Sequence, residues 1–312
     1  MLNIIFMGTP DFAIPSLELL HKHHNVTAVV TAPDKPAGRG KKLKSASVKN
    51  AALSLDIPVY QPDKMKDEAF INAMKALAPD LMVVVAFRML PAIIWEIPRI
   101  GTFNLHASLL PQYRGAAPIN HAIINGEKET GNTTFFIDEK IDTGNVLLQE
   151  KIDILETDTV GSLHDKLMIS GADLVLKTVN KLETNSIKPL KQNTDLEIRS
   201  APKIFKADCE IDWSLEGKTI YNKIRGLSPY PGAWTNIRFR DKASSMKILN
   251  TKFITQNHNA EIGQIIQSEN DKILVAVKNG LIQILELQIQ SKKRISDTQF
   301  LNGYKLEDLK IY

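Results

Sequence analysis

Short apolar runs at residues 4–7, 26–30, 58–60 and 81–86 alternate with segments of helical period at 12–20, 48–55 and 70–77. Strands that are apolar on both sides and separated by helices suit a parallel sheet covered on both faces. The N-terminal half therefore reads as a doubly wound α/β domain. In such sheets ligands sit beyond the carboxyl ends of the strands, so residues just after a strand are the first candidates for chemistry. A further strand is predicted at 102–106, then an irregular loop at 107–117 marked by Pro111 and Gly115, then strands at 133–137 and 146–154. A long helix at 160–182, with Leu163, Leu167, Leu174 and Leu182 near one face, closes this first domain.

Beyond it the pattern breaks. Residues 184–207 are mostly polar and carry Pro189 and Pro202, which suits a surface linker between a domain at 1–183 and another at 208–312. The second domain opens with a helix-like segment at 214–224. Alternating runs follow at 233–239, 246–253, 263–266, 273–277 and 281–288, separated by Asn, Asp and Gly turns. Five short, evenly spaced strands predict an OB-like β-barrel, an architecture that commonly holds oligonucleotides.

A length of 312 residues agrees with two domains. The hydrophobic share of 43% and charged share of 24% exclude intrinsic disorder and low-complexity classes. The net charge of +4 permits an anionic partner without requiring one. The single Cys209 forms no internal disulfide and points to a reducing compartment. No basic leader precedes the first strand, and the most apolar interior run, 81–87, is far shorter than the roughly 20 residues that cross a bilayer. The expectation is a soluble, cytoplasmic protein without membrane contact.

Several residues are candidates for chemistry. The turn Gly8-Thr9-Pro10-Asp11-Phe12 lacks the glycine spacing of a dinucleotide fingerprint, and Gly38-Arg39-Gly40-Lys41-Lys42 lacks that of a phosphate loop, so neither a nicotinamide cofactor nor ATP is expected. Residues 35–49 gather Lys35, Arg39, Lys41, Lys42, Lys44 and Lys49 among prolines and glycines. That combination suits a phosphate backbone, and equally a solvated surface loop. Asn104 and His106 are two apart on a predicted strand and project to one face. A histidine exchanges protons near neutral pH and an amide donates to a developing oxyanion, while structural hydrogen bonding is the plainer alternative. Asp142, opening Asp142-Thr143-Gly144, could set the protonation of His106 or merely build a turn, and Asp138 is a nearby rival. His21, His23 and His24 lack the spacing of a helical ligand pair, so no metal is expected.

The runs Asn104-Leu105-His106-Ala107-Ser108-Leu109-Leu110-Pro111, Tyr113-Arg114-Gly115-Ala116-Ala117-Pro118 and Asp142-Thr143-Gly144 together resemble the folate-dependent formyltransferases. The likeness extends to Gly8-Thr9-Pro10-Asp11-Phe12, to the basic stretch at 33–42, and to Pro229-Tyr230-Pro231-Gly232-Ala233-Trp234 in the second domain. It implies a Rossmann-like catalytic domain that takes 10-formyltetrahydrofolate as cosubstrate without a metal, joined to an OB-like domain that helps hold initiator tRNA. The implied reaction moves the formyl group to the α-amine of the methionine on initiator Met-tRNA, for translation initiation, with a monomer as the expected state. By the same resemblance Asn104, His106 and Asp142 form a catalytic triad. Ser108, Leu109, Leu110 and Pro111 form a folate-contacting loop, and Arg39, Lys41, Lys42 and Lys44 contact tRNA. Lys203, Lys206 and the run Lys292-Lys293-Arg294 are weaker tRNA candidates, the last of them equally a solvated turn. One departure is visible: Ala86-Phe87-Arg88-Met89-Leu90-Pro91 stands where many members have Ala-Tyr-Gly before Leu-Pro, which is expected to reshape the rim of the folate pocket. The competing readings are formyl transfer to a small amine such as a sugar nucleotide, and an RNA-binding module without catalysis.

Overall fold

The computed structural model describes residues 1–37, 42–195, 197–240, 242–267 and 272–312. They form two compact units that are not consecutive along the chain: Met1–Gly115, Glu129–Asp153 and His164–Ser200 make the first, and Ala116–Lys128, Ile154–Leu163 and Ala201–Tyr312 the second.

The first unit is built on strands β1 (Asn3–Gly8), β2 (Asn25–Val30), a hairpin β3 (Lys35–Ala37) and β4 (Lys42–Lys44), β5 (Val59–Tyr60), β6 (Leu81–Val85), β7 (Gly101–His106), β8 (Arg114–Gly115), β9 (Glu129–Phe136) and β10 (Val146–Asp153). Seven of them make one sheet in the order β10-β9-β7-β6-β1-β2-β5. The pairs from β7 to β5 are parallel and those from β7 to β10 antiparallel. Every residue of β6 is buried, as a strand covered on both faces requires. One face packs Ile5, Met7, Met82 and Val84 against Phe70 and Met74 of the helix Glu68–Ala76. That helix begins where the Asp67 carboxylate accepts from the backbone of Phe70 at 3.0 Å.

The helix Val160–Glu183 is tied to β9 by polar contacts: the buried Asn132 amide donates to Leu167 O at 2.9 Å and to Ser170 Oγ at 2.8 Å, and the hydroxyls of Thr134 and Thr178 share a bond at 2.8 Å. The expected helix at 12–20 is a single 3-10 turn, Asp11–Ala13, followed by a helix at Ile14–His23. Pro15 sits in its first turn, where a missing N–H costs no bond.

Two differences from the sequence reading bear on the site. The stretch 107–117, expected to be wholly irregular, carries β8, which pairs with β11 (Ser200–Ala201). Of the stretch 184–207, expected to be a surface linker between two domains, the residues through Ser200 belong to the first unit. Leu190 exchanges backbone bonds with Val146 at 2.8 and 2.9 Å, and Tyr113 donates to Arg199 O at 2.6 Å. These partners are strand edges and loops distant in sequence, so no local pattern announces them.

The second unit holds β12 (Ala233–Phe239), β13 (Lys242–Ile254), β14 (Ile265–Gln267), β15 (Ile273–Val277), β16 (Gly280–Ile289), β17 (Ile295–Ser296) and β18 (Leu309–Ile311). They pair antiparallel in the order β14-β15-β16-β13-β12-β18, with β17 on β16. β14 and β18 come into contact, so the sheet nearly closes into a barrel. Its interior is apolar, with Ile237, Ile248, Val275, Ile282 and Phe300 all buried, and the helix Gly217–Gly226 contributes Ile220 and Ile224. The five predicted strands are present. β17 and β18 are too short for alternation to reveal them. No helix among the described residues is long and apolar enough to cross a membrane.

Candidate active site

Asn104 and His106 lie on β7, the strand where the parallel part of the sheet meets the antiparallel part. The Asn104 side chain is half-buried and has no hydrogen-bond partner among the described residues, so its amide is available to donate. His106 is buried, with Nε2 2.8 Å from the backbone carbonyl of Tyr113. A carbonyl only accepts, which assigns the proton to Nε2 and leaves Nδ1 as the nitrogen free to gain one. Nδ1 stands 3.7 Å from Asp142 Oδ2, close enough for a charge interaction and too long for a direct hydrogen bond. The ring of Phe135 meets the imidazole edge-on at 6.5 Å between centroids.

The geometry separates Asp142 from its rival. Asp138 is occupied within the turn, accepting from Thr143 Oγ1 at 2.7 Å and from the backbone of Lys140 at 3.1 Å. Asp142 faces His106, and its Oδ2 accepts from the backbone N–H of Gly115 at 2.9 Å. Asp142 holds a left-handed φ of 55°, a conformation that aspartate tolerates better than most residues. Gly144 is required by a close approach: a Cβ there would meet Phe136 O at 1.7 Å.

Gln192, which sequence reasoning assigned to the linker, joins these pieces. Its side chain is buried. Nε2 donates to the carbonyls of Asp142 at 2.9 Å and Gly144 at 2.8 Å, while Oε1 accepts from Arg114 Nε at 3.1 Å and Nη2 at 2.6 Å. One amide thus connects the turn bearing Asp142 to the segment bearing Tyr113, Arg114 and Gly115. The polar residue amid a polar stretch gave no signal in the sequence.

The loop at 108–111 is similarly held from outside. Ser108 is fully buried, with Oγ donating to Gln112 O at 2.6 Å, and Leu110 is also buried, whereas Leu109 and Pro111 are half-exposed. Thr133 Oγ1 donates to Ser108 O at 2.6 Å and accepts from the backbone of Leu110 at 3.1 Å. Gln149 Nε2 donates to both Leu110 O at 2.8 Å and Thr133 Oγ1 at 2.9 Å. Thr133 and Gln149 were not legible as site residues. In the departing segment, Arg88 donates to the backbone carbonyls of Pro62 and Asp63, which ties the residues after β6 to those after β5.

Of the residues expected to contact tRNA, Arg39 and Lys41 lie outside the described residues. Lys42 and Lys44 lie on β4, whose backbone pairs Lys42 with Ala37 and Lys44 with Lys35. At the base of this hairpin the Asp34 carboxylate takes Lys49 Nζ at 2.6 Å and Gln61 Nε2 at 2.9 Å, bonds that hold its carboxyl below the usual range. Among the weaker candidates, Arg294 is paired with Glu286.

Residues 2–179 match the family model described as formyl transferase, and residues 203–305 match formyl transferase, C-terminal domain. A methionyl-tRNA formyltransferase from Bacteroides thetaiotaomicron is 49% identical over 98% of this chain and 97% of its own length. One from Flavobacterium johnsoniae is 48% identical over 100% and 99%. Among solved structures, an N-formyltransferase from Helicobacter canadensis in complex with folinic acid and dTDP-3-aminofucose superposes with a TM-score of 0.65 at 21% identity, over 91% of this chain and 99% of that one. HypX from Aquifex aeolicus in complex with tetrahydrofolic acid gives 0.65 at 18% identity, over 97% of this chain and 48% of that one. At such identities the solved structures establish likeness of fold.

Proposed function

Because the chain belongs to the formyl transferase family, we propose that it transfers the formyl group of 10-formyltetrahydrofolate to the α-amine of methionine on initiator Met-tRNA. The observation that carries this reading is near-half identity, over both domains, to proteins that bear the name of that activity. The site is suited to the chemistry. The new N–C bond forms between the methionine amine and the formyl carbon, the bond from that carbon to N10 of the folate breaks, and one proton moves from the amine to N10. Asn104 donates to the formyl oxygen as negative charge grows on it, in a role where one donor is worth about 10²–10³ in rate. His106, with Nε2 held by Tyr113, takes and returns the proton through Nδ1. Asp142 stabilises the imidazolium that forms, its carboxylate fixed by the Gly115 N–H. Residues 108–111 shape the folate side of the site, and the basic stretch from Arg39 to Lys44 meets tRNA phosphates. The formyl group is already activated on the folate, so the step needs neither ATP nor a metal. The product serves translation initiation in the cytoplasm.

The test is formylation by the purified protein with 10-formyltetrahydrofolate and Met-charged initiator tRNA, with Met-charged elongator tRNA as control. Formylmethionine confined to the initiator is the expected result. Absence of product on either tRNA, with tetrahydrofolate released when a sugar nucleotide amine is supplied, would move the protein to small-amine formyl transfer.

A further inference from the structure

The barrel unit carries a groove of about 460 Å³ whose walls include Phe205, Lys206, Tyr230, Trp234, Lys247 and Gln290. Two large aromatic side chains are left to solvent there, Tyr230 at 80% and Phe205 at 61% exposure. Burying an aromatic is among the larger apolar gains available to a chain, so two exposed rings sharing one concavity mark a surface with something to cover it. Cations accompany them. Lys206 Nζ lies 5.7 Å from the centroid of Trp234, whose indole N–H donates to Lys206 O at 2.9 Å, and Lys203 Nζ lies 5.4 Å from the centroid of Phe205. Lys247 Nζ spends one donor on Pro231 O at 2.7 Å and keeps its charge and its other donors. No Asp or Glu is among the described residues lining the groove, whose remaining polar groups are Ser and Gln side chains able to meet a base edge.

Exposed aromatic faces beside lysines, with amide and hydroxyl groups and no carboxylate, are the chemistry of a stacked base with its phosphate. The size agrees: 460 Å³ falls in the range of small-ligand sites and below what a duplex or a protein helix would fill. We propose that this groove binds an unpaired nucleotide of RNA, its base stacked on Tyr230 and Phe205 and its phosphate met by Lys206 and Lys247. The proposal rests on the tRNA reading above and adds to it a site that reads a base face in addition to backbone charge. Sequence pattern singled out Lys206 as a charge. The aromatic partners come together only in the fold, since Phe205 and Tyr230 are 25 residues apart in number and belong to no common element.

The experiment uses the full-length protein with two probes: a mixed-sequence single-stranded RNA heptamer, titrated by Trp fluorescence, and Met-charged initiator tRNA. Tyr230→Ala and Phe205→Ala are each expected to weaken heptamer binding by about 5- to 150-fold, the effect of one lost stack. Tyr230→Phe keeps the ring and is expected to bind as the parent does. The same alanine variants should raise KM for tRNA while KM for 10-formyltetrahydrofolate is unchanged. Both side chains are largely exposed, so thermal unfolding should match the parent and exclude misfolding as the cause. Unchanged heptamer binding in both alanine variants of a protein that still formylates tRNA overturns the groove and leaves the activity standing. Weakened heptamer binding in the alanine variants, when the parent protein formylates no tRNA, upholds the groove and removes the activity.

Discussion

The side-chain amide of Gln192 donates to the carbonyl of Asp142 at 2.9 Å while its oxygen accepts from Arg114, so a residue 50 positions away sets where the carboxylate facing His106 stands. Gln192→Ala would leave the carbonyls of Asp142 and Gly144 and the Arg114 guanidinium without these bonds. Displacement of a reacting group by about 1 Å costs about 10²-fold in rate. We expect kcat to fall by that order with KM for folate and tRNA within about twofold of the parent. Gln192→Glu keeps the acceptor for Arg114 and loses both donors, so steady-state kinetics of the two variants separate the halves of the contact. Normal kcat in both would make Gln192 a packing residue.

Asn104→Ala removes the free amide and should lower kcat by about 10²–10³ while folate still binds. His106→Ala and Asp142→Asn should be at least as severe, because on the proposed path His106 carries the proton and Asp142 stabilises the imidazolium that forms. Rates measured with saturating folate, beside folate affinity by fluorescence, check each. Near-normal turnover would remove that residue from the chemistry.

Gly144 lies where a Cβ would come within 1.7 Å of Phe136 O. Backbone cannot swing aside as a flexible side chain does, so Gly144→Ala must shift the turn that carries Asp142. Denaturant titration should show a loss of about 1–3 kcal/mol, and activity should fall further than stability alone explains.

The backbone N–H of Asn3 and the guanidinium of Arg99 hold the Asp80 carboxyl below its usual range. A carboxyl with a depressed folded value adds stability above its ordinary unfolded value near 4, and that stability is lost as pH falls through the folded value. Asp80→Asn should therefore lower Tm at neutral pH and show a shallower decline in acid than the parent. Parallel acid limbs in the two proteins would contradict this.

Each lysine or arginine that neutralises a tRNA phosphate adds about one unit to the salt slope of binding. Lys42→Gln and Lys44→Gln, and likewise Arg39→Gln and Lys41→Gln, should each reduce the slope by about 1 in titrations across ionic strength. An unchanged slope assigns that side chain to solvent.

What the sequence by itself determined is the two-layered logic of the chain. Doubly apolar runs such as 81–86 can be satisfied only between two covering layers, and alternating runs after residue 232 only by a one-sided barrel, because side-chain period follows directly from backbone geometry. The spacing of Asn104 and His106 placed both on one face for the same reason. Spacing left Asp138 and Asp142 equivalent and only the family resemblance named Asp142; the tertiary structure supplied the physical reason, since Thr143 and Lys140 occupy Asp138 while Asp142 faces His106. It also turned residues expected to be a linker into the support of the site through Gln192, and gathered Phe205, Tyr230 and Trp234 around one groove. Hydrogen bonds and ring contacts between distant residues depend on where strands and turns end in space, and a local pattern of polar and apolar positions carries no record of that.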